Sequence, residues 1–255
     1  MNASTRFLSA VSVLSLAGLA GCADSTGTGG AGPVSLSFST VPATAATASV
    51  SGASFALLGS ADAIVITKAQ IVMSKSELER IGASCVAATE TNEDSCPDLK
   101  LGPMLIDLPL DATAKGVLAV TLPAGSYQQF ESKIDAVMSE TEGDGAASAA
   151  FLAANPQFRG VSVRVEGTFN GAPFVYTSAP EGELELTFNP PLVVDGSAGN
   201  LTVHVDLSSW FRRSDGSVID PRTATAGTAT REVVDDNIKR SFDVFEDDDR
   251  NGRED

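Results

Sequence analysis

The chain has 255 residues, 43% hydrophobic and 20% charged, a composition of globular rather than disordered proteins. Its 33 acidic and 17 basic side chains give a formal net charge of −16 at pH 7. Such a surface repels nucleic-acid phosphates and anionic lipid headgroups, so no nucleic-acid partner is expected and attachment to a membrane needs something other than surface charge.

The N-terminus supplies it. Arg6 precedes an apolar run from Phe7 to Leu19, too short to span a bilayer, which takes roughly 20 apolar residues. A charged start, a short apolar centre and small residues before a cut site mark a removable signal. The run closes on Leu19-Ala20-Gly21-Cys22, which resembles the lipobox of bacterial lipoproteins. The resemblance implies cleavage before Cys22, a diacylglycerol thioether on its sulfur and a palmitate-type acyl chain on its new amine. Two or more acyl chains anchor stably, at about 0.8 kcal/mol per buried methylene. Ala23, rather than aspartate, after the cysteine resembles lipoproteins sorted to the outer membrane where a cell has one. The alternative is an ordinary signal with a chance cysteine.

With Cys22 acylated, Cys85 and Cys96 remain as an even pair in an exported chain. They bracket a polar, turn-forming stretch and are expected to staple it as a disulfide worth about 3 kcal/mol in the chain-entropy model. Residues 22–33 are rich in Gly, Ser and Thr and read as a flexible tether. Gly27, Gly29 and Gly32 match a dinucleotide-binding spacing, but no strand precedes and no helix follows, so the match is accidental.

From Val34 the pattern has period two. Val34, Leu36 and Phe38 alternate with serines, predicting a half-buried strand. Residues 64–73 predict another, with Val65, Thr67, Ala69, Ile71 and Met73 on one face and a bulge at 74–76. A helix capped by Ser76, with Glu79 three residues on, is the competing reading. Met104, Ile106, Leu108 and Leu110 alternate again. Strands over 116–122 and 127–137 are joined by Pro123-Ala124-Gly125-Ser126 and are expected to form a hairpin. This L-P-A-G-x-Y joint, with Cys85, Cys96 and the 102–110 run, resembles β-sandwich domains of unknown function common in bacterial lipoproteins. The resemblance covers roughly residues 34–211, implies a fold and carries no chemistry.

Residues 138–157 form a possible seam, with a short helix over 146–155. Val161, Val163, Val165 and Phe169 run into Asn170-Gly171, a strong hairpin signal, and Phe174 and Tyr176 return. Leu184, Leu186 and Phe188 predict a strand ended by Pro190-Pro191, and Leu201, Val203, Val205 and Leu207 another. Residues 208–222, with Trp210, read as a capping loop. Val234, Ile238, Phe242 and Phe245 predict an amphipathic helix with Thr230 as N-cap. The expected architecture is all-β, an immunoglobulin-like or transthyretin-like β-sandwich over 34–222, after a signal over 1–21 and the tether. Residues 223–255 hold a low-complexity stretch, the short C-terminal helix and an acidic tail.

Candidate chemistry is sparse. Asp247, Asp249 and Asn251, followed by Gly252, match the first half of a calcium loop, in which alternate oxygens converge on one cation. The chain stops before the twelfth-position acid, and Arg250 and Arg253 intrude, so a solvated acidic tail is the other reading. No other cofactor is expected. His204, the one histidine, lies in a Thr-x-His-x-Asp row that could hold a metal, but a single imidazole reads as solvent-facing. Glu183 and Glu185 share a strand face and read as a charged outer surface. No hydrolase signature is present. The expected function is a lipid-anchored envelope protein whose sandwich binds or scaffolds an unknown ligand without catalysis. A carbohydrate-binding module is the alternative and predicts aromatics such as Trp210, Tyr127 and Tyr176 aligned on an outer face. An envelope enzyme, with a site assembled only in the fold, is third and predicts a deep polar pocket.

Overall fold

The computed structural model describes residues 31–40, 48–51, 54–59, 62–81, 99–111, 115–138, 145–196 and 199–247. Period-two alternation yields strands over most of this length: β1 (Gly32–Ser39), β2 (Ala48–Ser51), β3 (Ser54–Leu58), β4 (Ala63–Ile81), β5 (Leu99–Leu101), β6 (Met104–Asp107), β7 (Lys115–Leu122), β8 (Gly125–Ile134), β9 (Val163–Phe169), β10 (Ala172–Ser178), β11 (Gly182–Val194), β12 (Gly199–Val205) and β13 (Phe242–Glu246). Three helices accompany them: α1 (Gly145–Ala154), α2 (Leu207–Trp210) and α3 (Ala229–Lys239). The strands form two sheets packed as a sandwich. The smaller has the order β13-β12-β1-β7, and the larger has nine strands gathered on β4. The all-β sandwich with a C-terminal amphipathic helix is therefore present.

β4 is a strand of 19 residues. Its first half lies between β3 and β9, its middle pairs with β6, and its last third pairs with β8 and β5. Its side chains keep to the core only because the strand slips phase twice. Ile64 and Ile66 point inward, then Ala69, Ile71 and Met73, then Ser76 and Leu78. Register shifts against β9 between Ile66 and Lys68, and against β8 between Met73 and Lys75, mark the two bulges. An extra residue in one strand moves every following side chain to the other face. The second bulge matches the expectation at 74–76, and strand rather than helix continues to Ile81. The first was missed, and it puts Val65 and exposed Thr67 on the face opposite Ala69, Ile71 and Met73.

Gly167 makes the first bulge possible. A Cβ there would lie 2.1 Å from the Val65 carbonyl oxygen, a backbone atom that cannot move aside. β9 then turns into β10 through Asn170 (φ 49°) and Gly171 (φ 79°), and Ala172 pairs with Phe169. Two positive φ values in a two-residue loop are the hairpin geometry that Asn-Gly favours.

The joint at residues 123–126 is not a hairpin. β7 pairs with β1 in the small sheet, while β8 pairs with β4 and β11 in the large one. The chain crosses between layers there. The Tyr127 hydroxyl donates to the Pro123 carbonyl at 2.9 Å, and the Arg80 guanidinium donates to Ala124 O, tying the corner down. Pro190-Pro191 does not end β11 either. Thr187 pairs with Gln129 and Leu192 with Tyr127, so the prolines sit in an outward bulge where their missing N–H groups break no ladder bond.

One apolar cluster fills the space between the sheets, from Val34 of β1 to Val244 of β13, with Trp210, Phe211, Val234 and Ile238 closing one end. Each fully buried large apolar side chain contributes about 1.5–3 kcal/mol. A second small cluster, Val72, Val137, Phe151, Leu152 and Phe158, lies where α1 and the turn after it pack on Val72. The C-terminal helix is shorter than expected. Thr228, not Thr230, is its N-cap, accepting from Arg231 N at 3.1 Å. The helix ends at Lys239, and Phe242 and Phe245 belong to β13, an edge strand of the small sheet. Spacings of four and three residues fit a helix, but Phe242, Val244 and Glu246 also fit period two, and pairing with β12 decides.

Gly167→Ala is expected to destabilise the fold by about 3 kcal/mol, because the methyl group meets backbone and not a movable side chain. Urea unfolding with an unchanged m-value would check it, and a midpoint within error of the wild type would contradict the bulge geometry.

Candidate functional site

Cys22, Cys85, Cys96, Asp249 and Asn251 lie outside the described residues. Asp247 is described and fully buried: its Oδ2 accepts from Thr202 Oγ1 at 2.8 Å, and its carbonyl accepts from Asn200 Nδ2 at 2.8 Å. Among the described residues, no group of three or more His, Cys, Asp or Glu side chains converges.

Asp247 ends a polar row on the face of the small sheet turned away from the apolar core. Ser35 and Ser37 both donate to Asn200 Oδ1 at 2.7 Å, and Asn200 Nδ2 reaches Thr202 Oγ1 at 3.0 Å. The serines of β1, expected at a wet surface, are buried. Their short hydroxyls are both satisfied by Asn200 Oδ1, which removes the penalty of burying them. His204 continues the row. It is half-buried, and its Nδ1 shares a hydrogen bond of 3.1 Å with Ser39 Oγ. Burial lowers its pKa below the usual value, against the raising influence of Asp206 and Asp243. It is not the freely solvated imidazole that the sequence suggested.

The aromatic candidates all face inward: Trp210 is 0% exposed, Tyr127 1% and Tyr176 2%. They offer no stacking platform to a sugar. Trp210 Nε1 donates to Ser241 Oγ at 2.7 Å, pinning α2 to the end of α3. Tyr176 packs edge-on against Phe211 and donates to Asp235 Oδ1 at 2.8 Å. Burial pushes its phenol far above the ordinary value, with Asp235 adding to the shift and Arg231 opposing it. Arg231, 4.8 Å from the Tyr176 ring centroid and 3.2 Å from Asp235 Oδ2, completes the clasp of α3 onto β10. Glu183 and Glu185 are exposed, as expected, the first 3.5 Å from Lys133 Nζ and the second accepting from Gln129 Nε2 at 2.8 Å.

α2, the following turn and α3 enclose a groove of about 620 Å³, lined chiefly by Asp206, Ser208, Arg212, Arg213, Asn237 and Arg240. Sequence reading took 208–222 as a capping loop. It does cap, but its outer side is concave. Asp206 builds one wall, capping α2 by accepting from Ser208 N at 2.9 Å. Arg212 builds another, donating to the carbonyls of Ser208 (3.2 Å), Gly216 (2.9 Å) and Leu58 (3.0 Å). Asn237 joins α3 to both, through Trp210 O at 3.3 Å and Arg212 O at 2.7 Å. The groove is therefore held rigid by bonds that leave its mouth free. No local motif marks it, since its residues come together from segments far apart in the chain.

Its position follows from strand direction. β1 and β12 are parallel, with Val34 opposite Gly199 and Ser39 opposite His204. Gly32, the buried tail residue Asp247 and the start of β12 thus share one end of the small sheet, while Asp206 and α2 follow the other end. Seven residue steps separate the ends, about 23 Å at 3.3 Å per residue.

No protein-family model matches the chain, and no curated protein matches it. Among solved structures it is similar to MbnP from Methylosinus trichosporium, at 14% identity and a TM-score of 0.42, over 79% of this chain and 86% of that chain. No helix among the described residues is long and apolar enough to cross a membrane.

His204 gives a pH prediction. Its folded pKa is depressed, so its contribution is present above the unfolded value of about 6.5 and is lost as pH falls through the folded value. Unfolding free energy measured between pH 8 and 5.5 should decline on the acid side in the wild type and run flatter in His204→Gln. Parallel curves would remove the imidazole from the balance.

Proposed function

We propose that the protein is a lipid-anchored component of the bacterial cell envelope, acylated at Cys22 and seated in the outer membrane where the cell has one. Its sandwich acts as a rigid, non-catalytic binding module that displays a groove away from its membrane. The observation that carries this reading is the parallel pairing of β1 with β12. The tether enters β1 at Gly32, and the groove lies beyond the opposite end of the same two strands. A Gly/Ser/Thr-rich tether of about ten residues, if it behaves as a random coil, would add roughly 17 Å of reach. An anchored molecule therefore keeps its tail end, at Asp247, nearer the bilayer and offers the groove to whatever approaches from outside.

The structure and charge of the chain support a binding role in two further ways. Bonds from Arg212, Asn237 and Asp206 preorganise the groove walls, which lowers the ordering cost of binding. A net charge of −16 keeps the body of the protein off anionic headgroups, so the acyl chains supply the attachment. A disulfide between Cys85 and Cys96, expected in an exported chain, would fit the same compartment.

Two measurements test the anchor and the orientation. Wild-type protein should partition into the membrane fraction and into detergent, and Cys22→Ser should release it to the soluble fraction. A variant that stayed bound would sink the anchor. A dye placed by Asp215→Cys, at the groove, and another by Asp195→Cys, at the tether end, should differ in energy transfer to a headgroup-labelled vesicle. The groove position should transfer less. Equal transfer would remove the orientation.

A further inference from the structure

The charges in the groove are unequally committed. The Asp206 carboxylate is held by the Ser208 backbone N–H, and Asp215 Oδ1 accepts from Ser217 N at 2.9 Å. Asp236 Oδ1 lies 3.3 Å from Lys239 Nζ. Arg212 is fixed on three backbone carbonyls. Two guanidiniums remain. Arg213 and Arg240 are both exposed and both line the groove. Arg240 has one long contact, 3.4 Å to Asn237 Oδ1, and the Arg213 guanidinium makes no hydrogen bond to any described residue. In a chain with 33 acidic side chains, arginines find partners easily. Two whose N–H groups are largely unbonded in one concavity, Arg213 with its charge beside the Asp215 carboxylate, form a donor pair facing solvent.

A guanidinium is a planar fork whose N–H groups match the two oxygens of a carboxylate or phosphate. The groove has the volume of a small-molecule site. The groove lining carries three arginines, Arg212, Arg213 and Arg240, against three aspartates, Asp206, Asp215 and Asp236, a balance more favourable to an anion than that of the chain as a whole, whose 33 acidic side chains outnumber its 17 basic ones. We infer that the groove is the binding site of a small oxyanion, a carboxylate- or phosphate-bearing molecule gripped between Arg213 and Arg240. This deepens the binding role proposed above and rests on the groove being the binding surface, while it is independent of the lipid anchor.

Full-length protein in detergent is titrated calorimetrically at low ionic strength with inorganic phosphate and, separately, with succinate, up to millimolar concentration. At least one should bind saturably, and affinity should fall as salt is added. Arg213→Gln and Arg240→Gln should each weaken binding about tenfold with unchanged thermal midpoints. Lys68→Gln, which removes an exposed charge on the larger sheet, should leave it unchanged. Phosphate binding alone would assign a phosphate ligand, and succinate binding alone a carboxylate. Saturation by neither, or an equal loss in Lys68→Gln, would overturn the site. The same titration on Cys22→Ser separates the two proposals: binding retained by a variant that still sits in the membrane would fail the anchor and leave the groove standing.

Discussion

The constraint on which the sandwich depends is the phase of β4. A strand of 19 residues is about three times the usual length, and a regular one would carry its apolar face out of a twisted sheet before it ended. Two bulges restore the face each time it drifts. Five strands, β3, β5, β6, β8 and β9, take their register directly from β4, and β10, β2 and β11 take theirs from those. Because register has period two, a slip at Thr67 or Ser74 would turn every later side chain of β4 over. Gly167 is then a structural requirement, as the one residue type that lets the Val65 carbonyl approach β9 at the first bulge.

That dependence explains which features were readable in the sequence. Alternation at Val163, Val165 and Phe169, and the Asn170-Gly171 turn, are local, and β9 and β10 follow them residue for residue. The bulge near Ser74 announced itself through a polar interruption, Ser74-Lys75-Ser76. The bulge at Thr67 did not, because β-branched residues continue through it and its cause, Gly167, lies a hundred residues away. The Leu122 to Tyr127 joint was recognised as tight but not as a crossing between sheets. A short Pro-Gly connection serves either purpose, and only the partners of β7 and β8 distinguish them.

The errors near the C-terminus share a cause. Val234, Ile238 and Phe242 pack on the same core, while Phe245 lies opposite Thr202 on the other face of β13, and a helical spacing joined residues that belong to two elements. The chain breaks at Ser241, whose hydroxyl donates to Ile238 O at 2.7 Å and accepts from the Trp210 indole. Serines near a helix end compete for backbone carbonyls in this way. On β1 the opposite inference failed. Serine alternation reads as a wet face, yet Ser35 and Ser37 are buried because Asn200, on a strand 165 residues away, accepts from both.

The groove illustrates a site that no stretch of sequence could announce. Its walls need Leu58 at the end of β3, Asp206 after β12 and Asn237 on α3, and Trp210 beneath them fixes their relative positions through Ser241. The buried indole therefore sets the geometry of a polar surface it does not reach. Charge has the same division. The acids that shape the groove accept from backbone N–H groups or lie beside Lys239, so they add rigidity while keeping their charge. The guanidiniums of Arg213 and Arg240, left out of the framework, keep N–H donors open in a groove whose three arginines match its three aspartates, although the molecule as a whole is strongly negative. A protein that repels anions over most of its surface gains selectivity from that contrast, because an anion finds one place where approach is favourable.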